Sequence, residues 1–287
     1  MPTTIKQGFE KLRENLEITG LQEKTVSTRQ QNVRDVVAAG MAVLDSFLTG
    51  SYRRSTMIAP LTEADVDVFV VLDPKHFSAN GQRTLLDEVK RVLRKTYTRT
   101  PEISPNGQAV TIRFEDFKMD VVPGFYRKGG GFLIPDAQAA RWISTDPKKH
   151  VELWTASNKA HNGDLVPLIK MIKGWNKTHS ALFHSFHLEC MIREILKNVT
   201  ISDFSSGCRY VFNSAKDKVY TPIYDPAGYG GDVGSSMKLM DKQAAAGGLH
   251  SALNLALEAE QLESVGRTAD AFEKWRKVFN DYFPAYG

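Results

Sequence analysis

The chain has 287 residues, 42% hydrophobic and 24% charged, with a formal net charge of +4: enough for one large domain or two modest ones, each with its own core. No apolar run reaches membrane-spanning length, the opening MPTTIKQGFEKLRENLE has no apolar signal segment, and Cys190 and Cys208 lack CxxC spacing, with only His184 and His187 near enough to help bind zinc. These features predict a soluble cytoplasmic protein with reduced thiols, whose mild basic excess suits an anionic substrate and equally a surface with a few extra lysines.

In chain order, residues 4–17 and about 28–48 predict helices. In the second, Val33, Val36, Val37, Met41, Leu44 and Leu48 recur at helical spacing. A polar, turn-like stretch follows from Gly50 to Thr56, then a strand DVDVFVVL at 65–72 and an amphipathic helix at 82–96. AVTIRF at 109–114 and KMDVVPGF at 118–125 predict two more strands, with the short EDF between them as a hairpin loop. Residues 125–150 are rich in Gly and Pro and read as a loop. Helices are predicted at 164–177, 185–197, 239–260 and 265–280, with a loop over DPAGYGGDVGSS at 225–236. The pattern divides the chain into an α/β half, 1–155, and a helical half, 156–287.

The strand residues carry the chemistry. Side chains alternate along a strand, so Asp65 and Asp67 share one face, about 7 Å apart, while Val66, Val68, Val70 and Leu72 share the other. Two acids at the start of an apolar strand oppose each other's ionisation, and a divalent cation with a taste for oxygen ligands reverses that cost. Asp120 repeats the setting: Lys118, Asp120 and Val122 lie on one face, Met119 and Val121 on the other. If the two strands are neighbours, three carboxylates converge, which is enough for two metal ions. Taken alone, a DxD at a strand edge is more often solvated than catalytic. Glu115 and Asp116 fall in the hairpin loop and read as decoys.

Gly50-Ser51 comes before this strand, with thirteen residues between Ser51 and Asp65. A Gly-Ser step lets backbone N–H groups approach a phosphate, with the Ser hydroxyl as a further donor. Arg53 and Arg54 follow, available to phosphate or to solvent.

The combination of Gly-Ser, a spacer, Asp-Val-Asp-Val and a later strand-borne Asp resembles the polymerase-β-type nucleotidyltransferase superfamily. Within it the chain resembles the bacterial CD-NTases, relatives of cyclic GMP–AMP synthase and oligoadenylate synthetase. The resemblance runs through FLTGSYRRSTMIAPLTEADVDVFVVL at 47–72, MDVVPGF at 119–125, GGGFLIPD at 129–136, LVPLIKMIKGWN at 165–176, HSFHLE at 184–189 and AFEKWRKVFNDYFP at 271–284. Thr62-Glu63-Ala64 departs from the shorter approach of the family and reads as a loop insertion.

The resemblance implies an α+β fold: a mixed sheet flanked by helices forms the nucleotidyltransferase core, a helical lobe follows, and the active site lies in a central cleft. It implies Asp65, Asp67 and Asp120 as catalytic residues holding two Mg²⁺ or Mn²⁺ ions, with Gly50 and Ser51 at the phosphates. Lys170, Lys173 and Lys177 form one helical stripe, which by itself reads as a solvated basic face. By resemblance Lys173 and Ser185 grip the donor triphosphate. Phe186 matches an aromatic that stacks on a base, with core packing as the equal alternative. Last, the resemblance implies condensation of nucleoside triphosphates into a cyclic di- or trinucleotide, a messenger of anti-phage (CBASS) signalling read by a separate effector protein. Some relatives are conjugated through a C-terminal glycine by ubiquitin-like machinery, and Gly287 is the matching position, with a frayed tail as the alternative. No stable nucleic-acid partner and no membrane are expected. The rival readings are an RNA- or small-molecule-directed nucleotidyltransferase, the former disfavoured by the modest charge, and a non-catalytic nucleotide sensor.

Overall fold

The computed structural model describes residues 1–100 and 102–287. The chain divides into two compact units, Ile18–Glu152 and a second made of Met1–Glu17 with Leu153–Gly287. The chain opens on helix α1 (Ile5–Leu16), capped by the Thr4 hydroxyl at Gln7 N–H. Its buried stripe, Ile5, Phe9, Leu12 and Leu16, joins the helical unit rather than the α/β unit in which the sequence reading placed it. The reason is aromatic: the Phe9 ring stands edge-on to Trp275 at 4.8 Å and to Phe283 at 5.3 Å.

The α/β unit begins with α2 (Gly20–Gly40), opened by a Thr19/Gln22 capping box and ended at Gly40. Here the predicted helix over 28–48 is corrected. Val33 and Val37 are buried on α2, but the chain turns extended at Met41, and Val43–Thr49 is strand β1. Leu44 and Leu48 continue the helical period only by coincidence. Pairing with the buried strand that follows decides the conformation, and Leu44 is left exposed. Next come the short helix α3 (Gly50–Arg53), β2 (Asp65–Leu72), α4 (Gln82–Thr96), β3 (Glu102–Asn106), β4 (Ala109–Arg113) and β5 (Lys118–Tyr126). The expected loop at 125–150 instead contains β6 (Phe132–Asp136) and β7 (Arg141–Thr145) and leads into α5 (Pro147–Ala160).

Among the described residues the sheet has seven strands. The main path runs β1-β2-β5-β4-β3, with β6 on β5 and β7 on β6. It is mixed: β2 and β5 are parallel and the other pairs antiparallel. One face is a continuous core in which Val66, Val68, Val70, Leu72, Met119 and Val121 pack with residues of α2 and α4. The other face is divided along its length. Phe69, Val71, Phe132 and Ile134 form a small apolar cluster toward one end, and the aspartates occupy the other.

The helical unit continues with α6 (Leu165–Thr178), α7 (Ser185–Ile195), α8 (Phe204–Lys218), α9 (Leu239–Ser264) and α10 (Thr268–Phe279). Of these, α8 was missed by the sequence reading. Among the described residues no helix is long and apolar enough to cross a membrane. Cys190 and Cys208 are both buried thiols.

Candidate active site

The register of the sheet aligns side chains in rows across the strands. Thr49 on β1 pairs with Asp67 on β2, Asp67 with Asp120 on β5, Asp120 with Thr111 on β4, and Thr111 with Ser104 on β3. Paired residues point to the same face, at about 4.8 Å from strand to strand. The adjacent row is Asp65, Lys118, Arg113 and Glu102. It alternates in pairs: Lys118 Nζ lies 3.8 Å from Asp65, and Arg113 Nε donates to Glu102 at 2.9 Å. The second row, with Asp120, Thr111 and Ser104 of the first, lines a depression of about 280 Å³.

Strand geometry thus puts Asp67 beside Asp120, with Asp65 one row away on the same face. Among the described residues no three His, Cys, Asp or Glu side chains are gathered closely enough to enclose an ion. Asp65 faces Lys118, and Asp120 accepts a 2.5 Å hydrogen bond from the Thr111 hydroxyl. Burial is the main influence on Asp120 and pushes its carboxyl above the usual carboxylate range. The Thr111 hydrogen bond opposes this, the Asp65 charge adds to it, and the Lys118 charge opposes it. The Asp120 carboxylate, whose ionisation burial and a like charge disfavour, with Asp67 beside it, fits a hard divalent cation, which reverses both penalties.

Gly50 closes the site from β1. It has φ +64°, and a Cβ built on it would stand 1.7 Å from Asp67 Oδ2. Only glycine allows the backbone this close to the carboxylate in this conformation. The Ser51 carbonyl accepts from the Thr56 and Met57 N–H groups at 2.9 and 3.1 Å, which tie back the turn after α3. Asp116, between β4 and β5, accepts a hydrogen bond from Arg29 at 2.6 Å.

Residues 3–158, more than half of the chain, match the family described as the Second Messenger Oligonucleotide or Dinucleotide Synthetase domain. The chain belongs to that family. It is a nucleotidyltransferase of the bacterial CD-NTase type, a cyclic oligonucleotide synthase acting on nucleotide substrates, and enzymes of this kind use divalent metal ions. A cyclic AMP-AMP-AMP synthase from Acinetobacter sp. is 25% identical over 98% of this chain and 86% of its own length. A probable cyclic nucleotide synthase from Bacillus cereus is 26% identical over 83% of this chain and 81% of its own. The structure of E. coli MS115-1 CdnC with ATP superposes with a TM-score of 0.80 at 15% identity, covering 98% of this chain and 99% of that one. Vibrio cholerae DncV cyclic AMP-GMP synthase gives 0.66 at 14% identity, covering 97% and 87%. At these identities the two structures speak to fold alone.

The remaining residues singled out from the CD-NTase pattern lie in the helical unit. Lys170 and Lys173 are not a solvated stripe. Lys170 bonds Glu17 at 2.6 Å, and Lys173, 6% exposed, donates to the fully buried Glu189 of α7 at 2.9 Å. Ser185 is exposed as the first residue of α7, an end for which the N-cap His184 provides no side-chain cap. Phe186, half-buried, stacks on Trp154 with ring centroids 5.9 Å apart. His187 is 2% exposed, its Nδ1 has no hydrogen-bond partner, and burial pulls its pKa below the usual histidine value. Sequence reasoning did not single out Thr111. Its signal was available, since it is the one hydroxyl in the buried run Ala109–Ile112.

Proposed function

We propose that Asp65, Asp67 and Asp120 hold two Mg²⁺ or Mn²⁺ ions and that the enzyme condenses nucleoside triphosphates into a cyclic di- or trinucleotide. The observation that carries this reading is the in-register Asp67–Asp120 pair with Gly50 folded against Asp67. Bound divalent ions supply a lowered pKa at the attacking hydroxyl and charge neutralisation on the triphosphate. The chain's own residues do the rest. Thr49-Gly50-Ser51 brings backbone against the carboxylate row, where a phosphate is to be held. A ribose hydroxyl of one nucleotide forms a bond to the α-phosphorus of another, its proton passes to solvent, and the bond to pyrophosphate breaks. A second such transfer closes the ring. The uncapped start of α7, with Ser185, fits an anion such as the donor triphosphate, and we assign Lys173 to the same end as a buried charge held by Glu189. Phe186 is assigned to packing on Trp154 or to base stacking.

The Acinetobacter relative makes a cyclic AMP trimer by its name, so ATP is the first substrate to try. We further propose a cytoplasmic role in anti-phage signalling, with a separate effector reading the product. Gly287 is proposed as an attachment point for ubiquitin-like conjugation. Deletion of Gly287 that leaves conjugation in cells unchanged removes that last idea.

The test is incubation with ATP, GTP, CTP and UTP, singly and mixed, with Mg²⁺ or Mn²⁺ and no acceptor, then phosphatase treatment and mass spectrometry. A phosphatase-resistant cyclic product is expected, lost with EDTA and in Asp67→Asn and Asp120→Asn. Only linear, phosphatase-sensitive product, or full activity in both variants, overturns the reading.

A further inference from the structure

We propose that Thr111 is a positioning residue for cation capture: its hydroxyl fixes the Asp120 carboxylate by one oxygen and leaves the other for the ion. The inference rests on the reading of Asp67 and Asp120 as cation ligands and deepens it, because it gives a role to an uncharged residue on a third strand.

Three observations carry it. Thr111 on β4 and Asp120 on β5 are register partners, so the contact is set by the sheet and not by a flexible reach. The Thr111 hydroxyl donates to Asp120 Oδ1 at 2.5 Å, the short end of hydrogen bonds to a carboxylate. Thr111 is only 9% exposed, while its β4 neighbours Ala109, Val110 and Ile112 are apolar and buried. A valine would fill the same strand position, so the hydroxyl is explained by its acceptor. Threonine is also stiff at χ1, which holds the donor in place. A hydroxyl has one proton to give, so it engages a single lone pair of Oδ1 and leaves Oδ2 unengaged by this contact. Partners of this kind, one step behind a metal ligand, orient the ligand, and their loss commonly weakens affinity.

The experiment titrates Mn²⁺ alone into the full chain and follows the free-ion signal by electron paramagnetic resonance. It compares the wild type with Thr111→Val, Thr111→Ala, Thr111→Ser and Asp67→Asn. Thr111→Val and Thr111→Ala are expected to raise the Mn²⁺ Kd about tenfold or more, and Thr111→Ser to stay close to wild type. In turnover assays the same two variants need correspondingly more metal for half-maximal rate, and at saturating metal their KM for nucleotide is unchanged. Because valine and alanine make the same deletion with different volumes, a packing defect of one cannot decide the outcome. If Asp67→Asn loses Mn²⁺ while Thr111→Val and Thr111→Ala bind as wild type, the Thr111 assignment falls and the carboxylate reading stands. If Asp67→Asn itself binds as wild type, that reading fails and this inference with it.

Discussion

Replacing Gly50 by alanine separates the chemistry of the carboxylate row from the stability of the fold. Gly50 sits at φ +64°, a conformation that costs an L-residue about 1–2 kcal/mol. Part of that is offset, by about 0.4–1 kcal/mol, because alanine has less freedom to lose on folding. The backbone term alone therefore lowers Tm by a few degrees at about 2–4 °C per kcal/mol. The second effect is steric. The new Cβ would stand 1.7 Å from Asp67 Oδ2 and 2.5 Å from its Cγ. Ordinary carbon contacts begin near 3.5 Å, so the carboxylate must swing aside by roughly 2 Å. A misplacement of about 1 Å in a reacting assembly can cost about 100-fold in rate. Gly107→Ala is the control: φ is +60° there, but nothing lies within 4 Å of the added Cβ. Thermal unfolding and initial rates of pyrophosphate release should show similar small losses of Tm in both variants. The loss in kcat/KM, about 100-fold or more, should appear in Gly50→Ala alone. Near-normal turnover by Gly50→Ala would refute the argument that Asp67 needs this close approach.

Two further outcomes follow from the helical unit. Lys173→Met leaves the fully buried Glu189 carboxylate without its cation, and breaking such a pair costs about 3–5 kcal/mol. Urea unfolding should show a large fall in midpoint, mostly recovered in the double variant Lys173→Met/Glu189→Leu. If the single variant unfolds like wild type, the pair carries no structural weight. Burial depresses the folded-state pKa of His187 below the ordinary 6.5, with Asp232 opposing and Lys242 and His184 adding to the shift. The folded state then binds fewer protons than the unfolded one, so this contribution is present above pH 6.5 and is lost as pH falls through the depressed folded pKa. Melting temperatures from pH 7.5 down to about 4.5 should fall less steeply in His187→Gln than in wild type, and parallel curves would count against the assignment.

Much of the site was legible because strand alternation is local. Asp65, Asp67 and Asp120 could be placed on polar faces from the period of two, with their valine neighbours on the buried face, and the structure keeps that division. The β1 segment was not legible. Leu44 and Leu48 extend the valine period of α2, and no local signal outweighs it except Gly40, where the helix ends. Strands β6 and β7 were hidden among glycines and prolines because their partners fix them more than their own propensities do. The partners of the α6 lysines were not legible for a related reason. Helical spacing places Lys170 and Lys173 on one side, but cannot say that Glu17 and Glu189 come to meet them.

By itself the sequence determined the residue types and spacings: two aspartates alternating with valines, a third on another strand, and Gly50-Ser51 ahead of them. Their order along the chain carried a family resemblance that the comparisons uphold. Tertiary structure alone decided that β2 and β5 lie parallel in a register that sets Asp67 against Asp120. It also decided that Thr111 arrives on a third strand to hold one oxygen of Asp120, and that Gly50 presses against Asp67. The physical reason is range. Periodicity reports which way a side chain faces within its own strand, whereas the neighbour it meets is set by hydrogen-bonded pairing with another segment, whether near in the chain, as for Thr111 and Asp120, or distant, as for Asp67 and Asp120.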